Sequence, residues 1–136
     1  MNQETTPKSL FLQSVERCET NPGFIPAFYD RFLGQSEVVR EKFAETDFNQ
    51  QNRMLLRSLK LSAGAIAGEQ PALQELTQRA ESHNRHNLDI QPELYDLWLD
   101  AIIKTAREFD EQWNEEIETA WRDILHSVIH HMAKRY

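Results

Sequence analysis

Apolar residues recur every three to four positions along most of the chain, which is the spacing of an amphipathic helix. The first such stretch follows Thr6-Pro7, because threonine caps helices and proline is tolerated in the first helical turn. No segment shows a convincing alternation of apolar and polar residues, as a half-buried strand would. The pattern therefore predicts an all-α protein.

The next two helices are marked by glycine, proline and serine. After Asn21-Pro22-Gly23, apolar residues repeat at helical spacing from Phe24 until Gly34, and Pro26 is acceptable because it lies in the first turn. Ser36 can cap a short helix that runs to Phe43. The sequence predicts that residues 44–48 are irregular.

The middle of the chain predicts two more helices. Asp47 and Gln50 have the form of a capping box, and one apolar stripe continues from there to Gly68. Pro71 opens a further helix that leads to Ser82-His83. The stripe of the first of these helices consists of Met54, Leu55, Leu59, Ala63 and Ile66.

Two long amphipathic stretches complete the chain. Pro92 opens the first, and Asp110 is the expected N-cap of the second. The stripe of the first is Leu94, Tyr95, Trp98, Leu99, Ile102 and Ile103, and that of the second is Ile117, Trp121, Ile124, Val128 and Met132. Three histidines lie off the second stripe and are expected to be exposed: His126, His130 and His131.

Charge and composition exclude several classes of protein. The net charge is −7 and the basic residues are scattered, which disfavours binding to nucleic acid or to an anionic membrane. No apolar run is long enough for a membrane helix, and the first residues do not form a signal peptide. Cys18 is the single cysteine, so no internal disulfide can form. We therefore expect one cytoplasmic domain that spans residues 1–136.

Several spaced motifs resemble those of bacterial globins, in particular the globin domain of flavohaemoglobins. Residues 27–32 resemble the second globin helix, whose tyrosine, here Tyr29, lies over the distal face of the haem. Phe43 resembles the phenylalanine that packs flat on the porphyrin. Gln51 and Leu55 resemble the distal glutamine and the apolar haem contact one turn later.

The second half of the chain continues the resemblance in globin order. Ser82-His83 resembles the proximal histidine and its context, and residues 90–95 resemble the start of the next helix, which contributes Tyr95. Ala120-Trp121 fits the last globin helix. The resemblance implies a globin fold of about six to eight helices around haem b, with His83 as the iron ligand.

Some of these assignments leave alternatives open. His86 lies three residues after His83 and would shorten the loop before Pro92 if it were the ligand; otherwise it could bond a haem propionate. Gln50 could replace Gln51 as the distal amide. Trp98 and Ile102, four residues apart, are expected to line the pocket.

One departure from the flavohaemoglobin pattern concerns the proximal side. The resemblance pairs the proximal histidine with Tyr95 and with a glutamate near the chain end, but residues 133–136 contain no carboxylate. The electron push that such a network supplies to a peroxidase-like reaction is therefore not expected.

The resemblance implies binding of O2 and other diatomic gases. Three uses would follow: oxygen binding or storage, dioxygenation of nitric oxide with an external reductase, and gas sensing. The flavin and nicotinamide domains of flavohaemoglobins have no counterpart in these 136 residues. A haem-free globin-like interaction module is the alternative from another class.

Overall fold

A computed structural model describes residues 6–43, 48–66 and 92–133 of the chain. These residues form six helices and contain no strand, which confirms the all-α prediction. The helices are α1 (Pro7–Glu19), α2 (Phe24–Leu33), α3 (Glu37–Lys42), α4 (Phe48–Ile66), α5 (Pro92–Phe109) and α6 (Glu115–Ala133). None of them combines the length and the apolarity that crossing a membrane requires.

The first three helices begin where the sequence predicts, and the third ends at Lys42, one residue before the predicted Phe43. The Thr6 hydroxyl oxygen accepts the backbone N–H of Ser9 at 3.1 Å, and the Ser36 hydroxyl oxygen accepts that of Val38 at 3.1 Å. Each bond satisfies one of the backbone donors that a helix start leaves without an intrahelical partner. Helix α2 ends at Leu33, and Gly34 is its C-cap.

The fourth helix begins at Phe48, directly after the proposed cap Asp47. Since Phe48 is helical, the irregular stretch proposed for residues 44–48 is wrong at its last residue. Residues 44–47, with the Asp47 side of the proposed capping box, lie outside the described residues. So do residues 67–91, which hold the helix predicted after Pro71.

The cap of the last helix is Asn114, so the assignment of this role to Asp110 is wrong. The Asn114 side-chain oxygen accepts the backbone N–H of Ile117 at 2.9 Å, and α6 begins at Glu115. Asp110 instead directly follows the end of α5 with a fully buried carboxylate. Partners distant in sequence hold it there, and a local cap pattern cannot reveal them.

These partners form a buried polar network between α1, α5 and α6. The Arg17 guanidinium donates two hydrogen bonds to Asp110, at 2.5 and 3.0 Å, and the Ser14 hydroxyl donates a third at 2.5 Å. The backbone N–H of Gln112 donates a fourth at 2.9 Å, and the Trp121 indole N–H donates to the Ser14 oxygen at 2.9 Å. We call these five residues the Asp110 network.

The network sets the charge state of its own members. Burial acts to raise the pKa of the Asp110 carboxyl, but the hydrogen bonds from Arg17, Ser14 and Gln112 outweigh burial, and the net effect lowers this pKa. The hydrogen bond to Asp110 likewise raises the pKa of Arg17. Asp110 and Arg17 therefore form a charged pair within the fold.

The hydrophobic core lies where α1 packs on α4 and α6, and where α2 packs on α5. Trp121 heads the fully buried side chains by volume, and its ring meets that of Phe11 edge-on with centroids 4.9 Å apart. Most of the predicted stripe residues are buried, but four are only half-buried: Met54, Tyr95, Trp98 and Leu99. The side chains of Ile66 and Met132 lie outside the described part of the structure. The stripe residues with less than a tenth of their surface exposed are Leu55, Leu59, Ala63, Leu94, Ile102, Ile103, Ile117, Trp121, Ile124 and Val128.

The histidines of α6 do not all face water. His126 and His130 are exposed as predicted, but His131 is half-buried, so the prediction is wrong for that residue. His131 lies three positions after the buried Val128, and this spacing turns it toward the core side of the helix.

Candidate functional site

Five aromatic rings from three parts of the chain meet between α2 and α5. The Phe28 ring lies 4.9 Å from Tyr29, 5.5 Å from Phe32 and 6.1 Å from Trp98 between centroids. Phe43 lies 6.2 Å from Tyr29 and 5.7 Å from Phe32. These separations are typical of packed aromatic pairs. We call these five residues the aromatic cluster.

Local structure places Phe43 in this cluster. Helix α3 spans only six residues, and Phe43 is its C-cap. The Arg40 guanidinium donates to the backbone carbonyl of Leu33 at 3.1 Å, which ties α3 to the end of α2. Phe43 therefore approaches the face of α2 that carries Tyr29 and Phe32.

Helix α5 faces α2 across the aromatic cluster, and Arg31 of α2 binds two residues of α5. Arg31 donates to the Thr105 hydroxyl oxygen at 3.1 Å and forms an ion pair with Glu108. Trp98 is half-buried, and Ile102, one turn later, is fully buried in the same core. The structure thus brings Tyr29, Phe43 and Trp98 together, as their common assignment to one pocket requires.

Two other sequence-predicted residues are also placed. Leu55 is 5% exposed and belongs to the hydrophobic core on the α4 side. Tyr95 is half-buried near the start of α5, where burial raises the pKa of its phenol to about 12. Tyr95 therefore stays a protonated, neutral side chain at physiological pH. Direct contact of either residue with a cofactor remains a prediction.

The structure describes the predicted polar residues of the site only in part. Gln50 and Gln51 lie in α4, but only their helical backbone is described. His83 and His86 lie outside the described residues, so the choice of iron ligand remains a prediction.

Asn52 is a feature that sequence reasoning did not single out. Its side-chain oxygen is buried and has no hydrogen-bond partner among the described residues. A buried acceptor without a partner costs free energy, so we expect this oxygen to meet a donor outside the described residues. The sequence signal for it is the run of five polar residues from Asn49 to Arg53 that contains it.

Comparison with known proteins identifies the family of this fold. The family model described as Globin matches residues 26–132, which include all five residues of the aromatic cluster. The chain belongs to the globin family. A search of the curated proteins found no match for this globin.

One solved structure resembles this globin over nearly its whole length. It is a crystal structure of protein PA3967 from Pseudomonas aeruginosa PAO1, described as structurally highly homologous to a human hemoglobin. The two chains are 35% identical with a TM-score of 0.91, and the alignment covers 96% of this chain and 98% of that one. These matches support the prediction of a bacterial globin of the single-domain type. The more specific resemblance to flavohaemoglobins remains a prediction.

Membership of this family implies a haem cofactor, and the described residues fit one. Haem is a flat and largely apolar ring, so it requires an apolar lining from several helices. The aromatic cluster, Leu55 and Ile102 supply such side chains from α2, α4, α5 and the end of α3, and none of them is charged. The phenol of Tyr29 adds a hydrogen-bond donor within the cluster.

Proposed function

We propose that this globin holds haem b and binds O2 and other diatomic gases reversibly. The observation that carries the proposal is the contact of Tyr29 with Phe43 in the aromatic cluster, in a chain that matches the globin family. Tyr29 is only 6% exposed, so its phenol lies in a place from which water is largely excluded.

The proposed cofactor would be held by residues from both halves of the chain. His83 would ligate the iron, while His86 would bond a propionate or, in the alternative register, take the place of His83. Phe43, Leu55, Trp98 and the neighbouring apolar residues would surround the ring. When bound, the haem supplies an iron atom with an open coordination position for a gas molecule.

The role of the protein would be to tune how strongly a gas is held. The Tyr29 hydroxyl and the Gln51 amide would donate hydrogen bonds to a ligand that carries partial negative charge. Such a bond to a charged acceptor is worth roughly 1.5–3 kcal/mol, and each 1.4 kcal/mol corresponds to a tenfold change. These donors would favour O2 over CO, because a bound O2 would carry more negative charge for the Tyr29 hydroxyl and the Gln51 amide to meet.

The test compares gas dissociation from wild type and from Tyr29→Phe by stopped flow. We expect the variant to release O2 about ten- to a hundredfold faster, as the loss of roughly 1.5–3 kcal/mol requires, with a much smaller change for CO. Tyr136→Phe is the matched control, because it removes the same hydroxyl from a tyrosine outside residues 26–132, which the globin family model matches. An O2 rate that is unchanged in Tyr29→Phe would refute the distal role of this phenol.

Reversible gas binding could serve oxygen storage, gas sensing, or dioxygenation of nitric oxide with an external reductase. An absorption spectrum distinguishes all three of these uses from a haem-free interaction module. Purified protein is expected to be red, with a strong near-ultraviolet absorption band that shifts when CO is added. A colourless protein that does not take up added haemin would favour the interaction module.

A further inference from the structure

Two histidines lie one helical turn apart on the solvent face of α6. His126 and His130 are both exposed, and neither imidazole takes part in a hydrogen bond or an ion pair within the described structure. The opposite face of the same helix carries the buried Ile124 and Val128. Because this buried face packs against the core, α6 presents the two histidines to water from a fixed backbone.

This spacing suits the binding of one metal ion by both side chains. Residues four apart on a helix have Cβ atoms about 5–6 Å apart, so two imidazoles can converge on a common point above the helix. The same His-x-x-x-His spacing provides two of the zinc ligands in metalloprotease helices. Neutral imidazole is a preferred ligand of Zn²⁺, Cu²⁺ and Ni²⁺.

The surrounding charge favours a cation. The chain carries a net charge of −7, which raises the concentration of divalent cations near its surface. Asp123 is also exposed, and it lies three residues before His126, so its carboxylate adds negative charge along this face of α6.

We propose that His126 and His130 form a surface site for a divalent transition metal, with Cu²⁺ bound more tightly than Zn²⁺. Among the described residues, no group of three or more histidine, cysteine, aspartate or glutamate side chains is arranged to hold a metal. The site therefore supplies two protein ligands, and water completes the coordination. A metal held in this way exchanges with solvent and is not needed for folding, unlike one in a closed four-ligand site. The site does not depend on the proposed gas binding.

The experiment is a calorimetric titration of the untagged protein, as purified, with CuCl2, and separately with ZnCl2. Wild type is expected to bind one ion through this pair, with Cu²⁺ tighter than Zn²⁺. His126→Ala and His130→Ala should each weaken Cu²⁺ binding by about tenfold or more, since loss of even an outer-shell partner of a metal ligand costs about 10–100-fold. Circular dichroism spectra of the variants verify that the helical fold is intact.

Two double variants test the geometry of the pair. Arg122→His combined with His130→Ala restores the four-residue spacing with His126, and it should regain most of the lost affinity. Thr119→His combined with His130→Ala has the same number of histidines, but the new one lies seven residues, about two turns, before His126, and it should not. The proposal is overturned if wild type binds no Cu²⁺ or if either single variant binds it as tightly as wild type. It is equally overturned if both double variants behave alike.

Discussion

The Asp110 network makes a sharp prediction about stability. Asp110→Ala removes the carboxylate that accepts hydrogen bonds from Arg17, Ser14 and Gln112. The Arg17 guanidinium then loses its counter-ion, and the Ser14 hydroxyl loses its acceptor while still receiving the Trp121 indole N–H. The substitution leaves the packing of the helices unchanged, so the loss of stability comes from the Arg17 and Ser14 groups that no longer have their partner.

The expected cost follows from how deeply the two charges are buried. Removal of one partner of a buried ion pair typically costs about 3–5 kcal/mol, because the other charge remains without compensation. The Asp110 side chain is fully buried, but that of Arg17 keeps 24% of its surface exposed, so the guanidinium can regain water. We therefore expect a loss of about 3 kcal/mol in the free energy of unfolding, at the lower end of that range.

Urea denaturation followed by circular dichroism, at one fixed excess of haemin, measures this difference. Haemin is held constant because a ligand of the folded state adds its own stabilisation. Glu19→Ala is the matched control: it breaks the Glu19–Lys60 ion pair, whose oxygen and nitrogen lie 3.0 Å apart with both side chains over a third exposed. This exposed pair should cost at most about 1 kcal/mol. Equal effects of the two substitutions would refute the special role assigned to the network.

The pH dependence gives a second measure of the same group. Since the pKa of Asp110 is lowered in the folded state, the stability it contributes is present above the ordinary carboxyl pKa of about 3.9. That stability is lost as pH falls through the lower folded pKa. The stability difference between wild type and Asp110→Asn should accordingly be constant from neutral pH down to about 4 and shrink below it. A difference that grew with acidification would contradict the assignment of Asp110 as a charged group.

The remaining predictions concern the proposed iron ligand and the cysteine. His83→Ala should abolish stable haem retention, measured by transfer of haem to apomyoglobin, whereas His86→Ala should retain the haem; a reversal of the two results would move the ligand by about one turn. Burial raises the pKa of the Cys18 thiol to about 12, so the folded protein should react with a thiol reagent far more slowly than the urea-unfolded chain, because the thiolate is the reactive form. Rapid labelling of the folded protein at neutral pH would show that Cys18 is accessible.

Local sequence patterns predict where helices start, but they miss features that depend on contacts between residues far apart in the chain. Thr6 and Ser36 were identified as caps because a cap needs only its own side chain and a backbone N–H two or three residues later. Asp110 meets the same local criterion, yet it binds Ser14 and Arg17, which lie more than 90 residues earlier. The choice between Asp110 and Asn114 depends on that long-range packing and cannot be read from the pattern.

The candidate site also contains residues that the sequence predicts and one, Phe28, that it does not single out. The resemblance to globins selected Tyr29, Phe43 and Trp98, and the structure brings them together. It did not select Phe28, whose ring contacts both Tyr29 and Trp98 and so connects the α2 and α5 sides of the cluster. Periodicity assigns Phe28 to the buried face of α2, but it cannot say which other rings that face meets.

Helix α5 contributes to the aromatic cluster and is also held in place by polar and charged contacts near its end, which we call its anchors. Its middle turns carry Trp98 and Ile102, and its last turns carry the attachment of Thr105 and Glu108 to Arg31. Asp110 then joins the end of the same helix to α1. Because a helix is stiff along its axis, anchors at one end fix the position of Trp98 relative to α2, and none of these anchors belongs to the aromatic cluster. A charge there would lose much of its hydration, and unpaired it would cost several kcal/mol. The charged groups thus hold α5 near its end, whereas the rings that meet Tyr29 in the described structure, Phe28 and Phe43, are uncharged. Under the proposed function, a hydrogen bond from the Tyr29 phenol in such surroundings would be strong enough to control how long a gas remains bound.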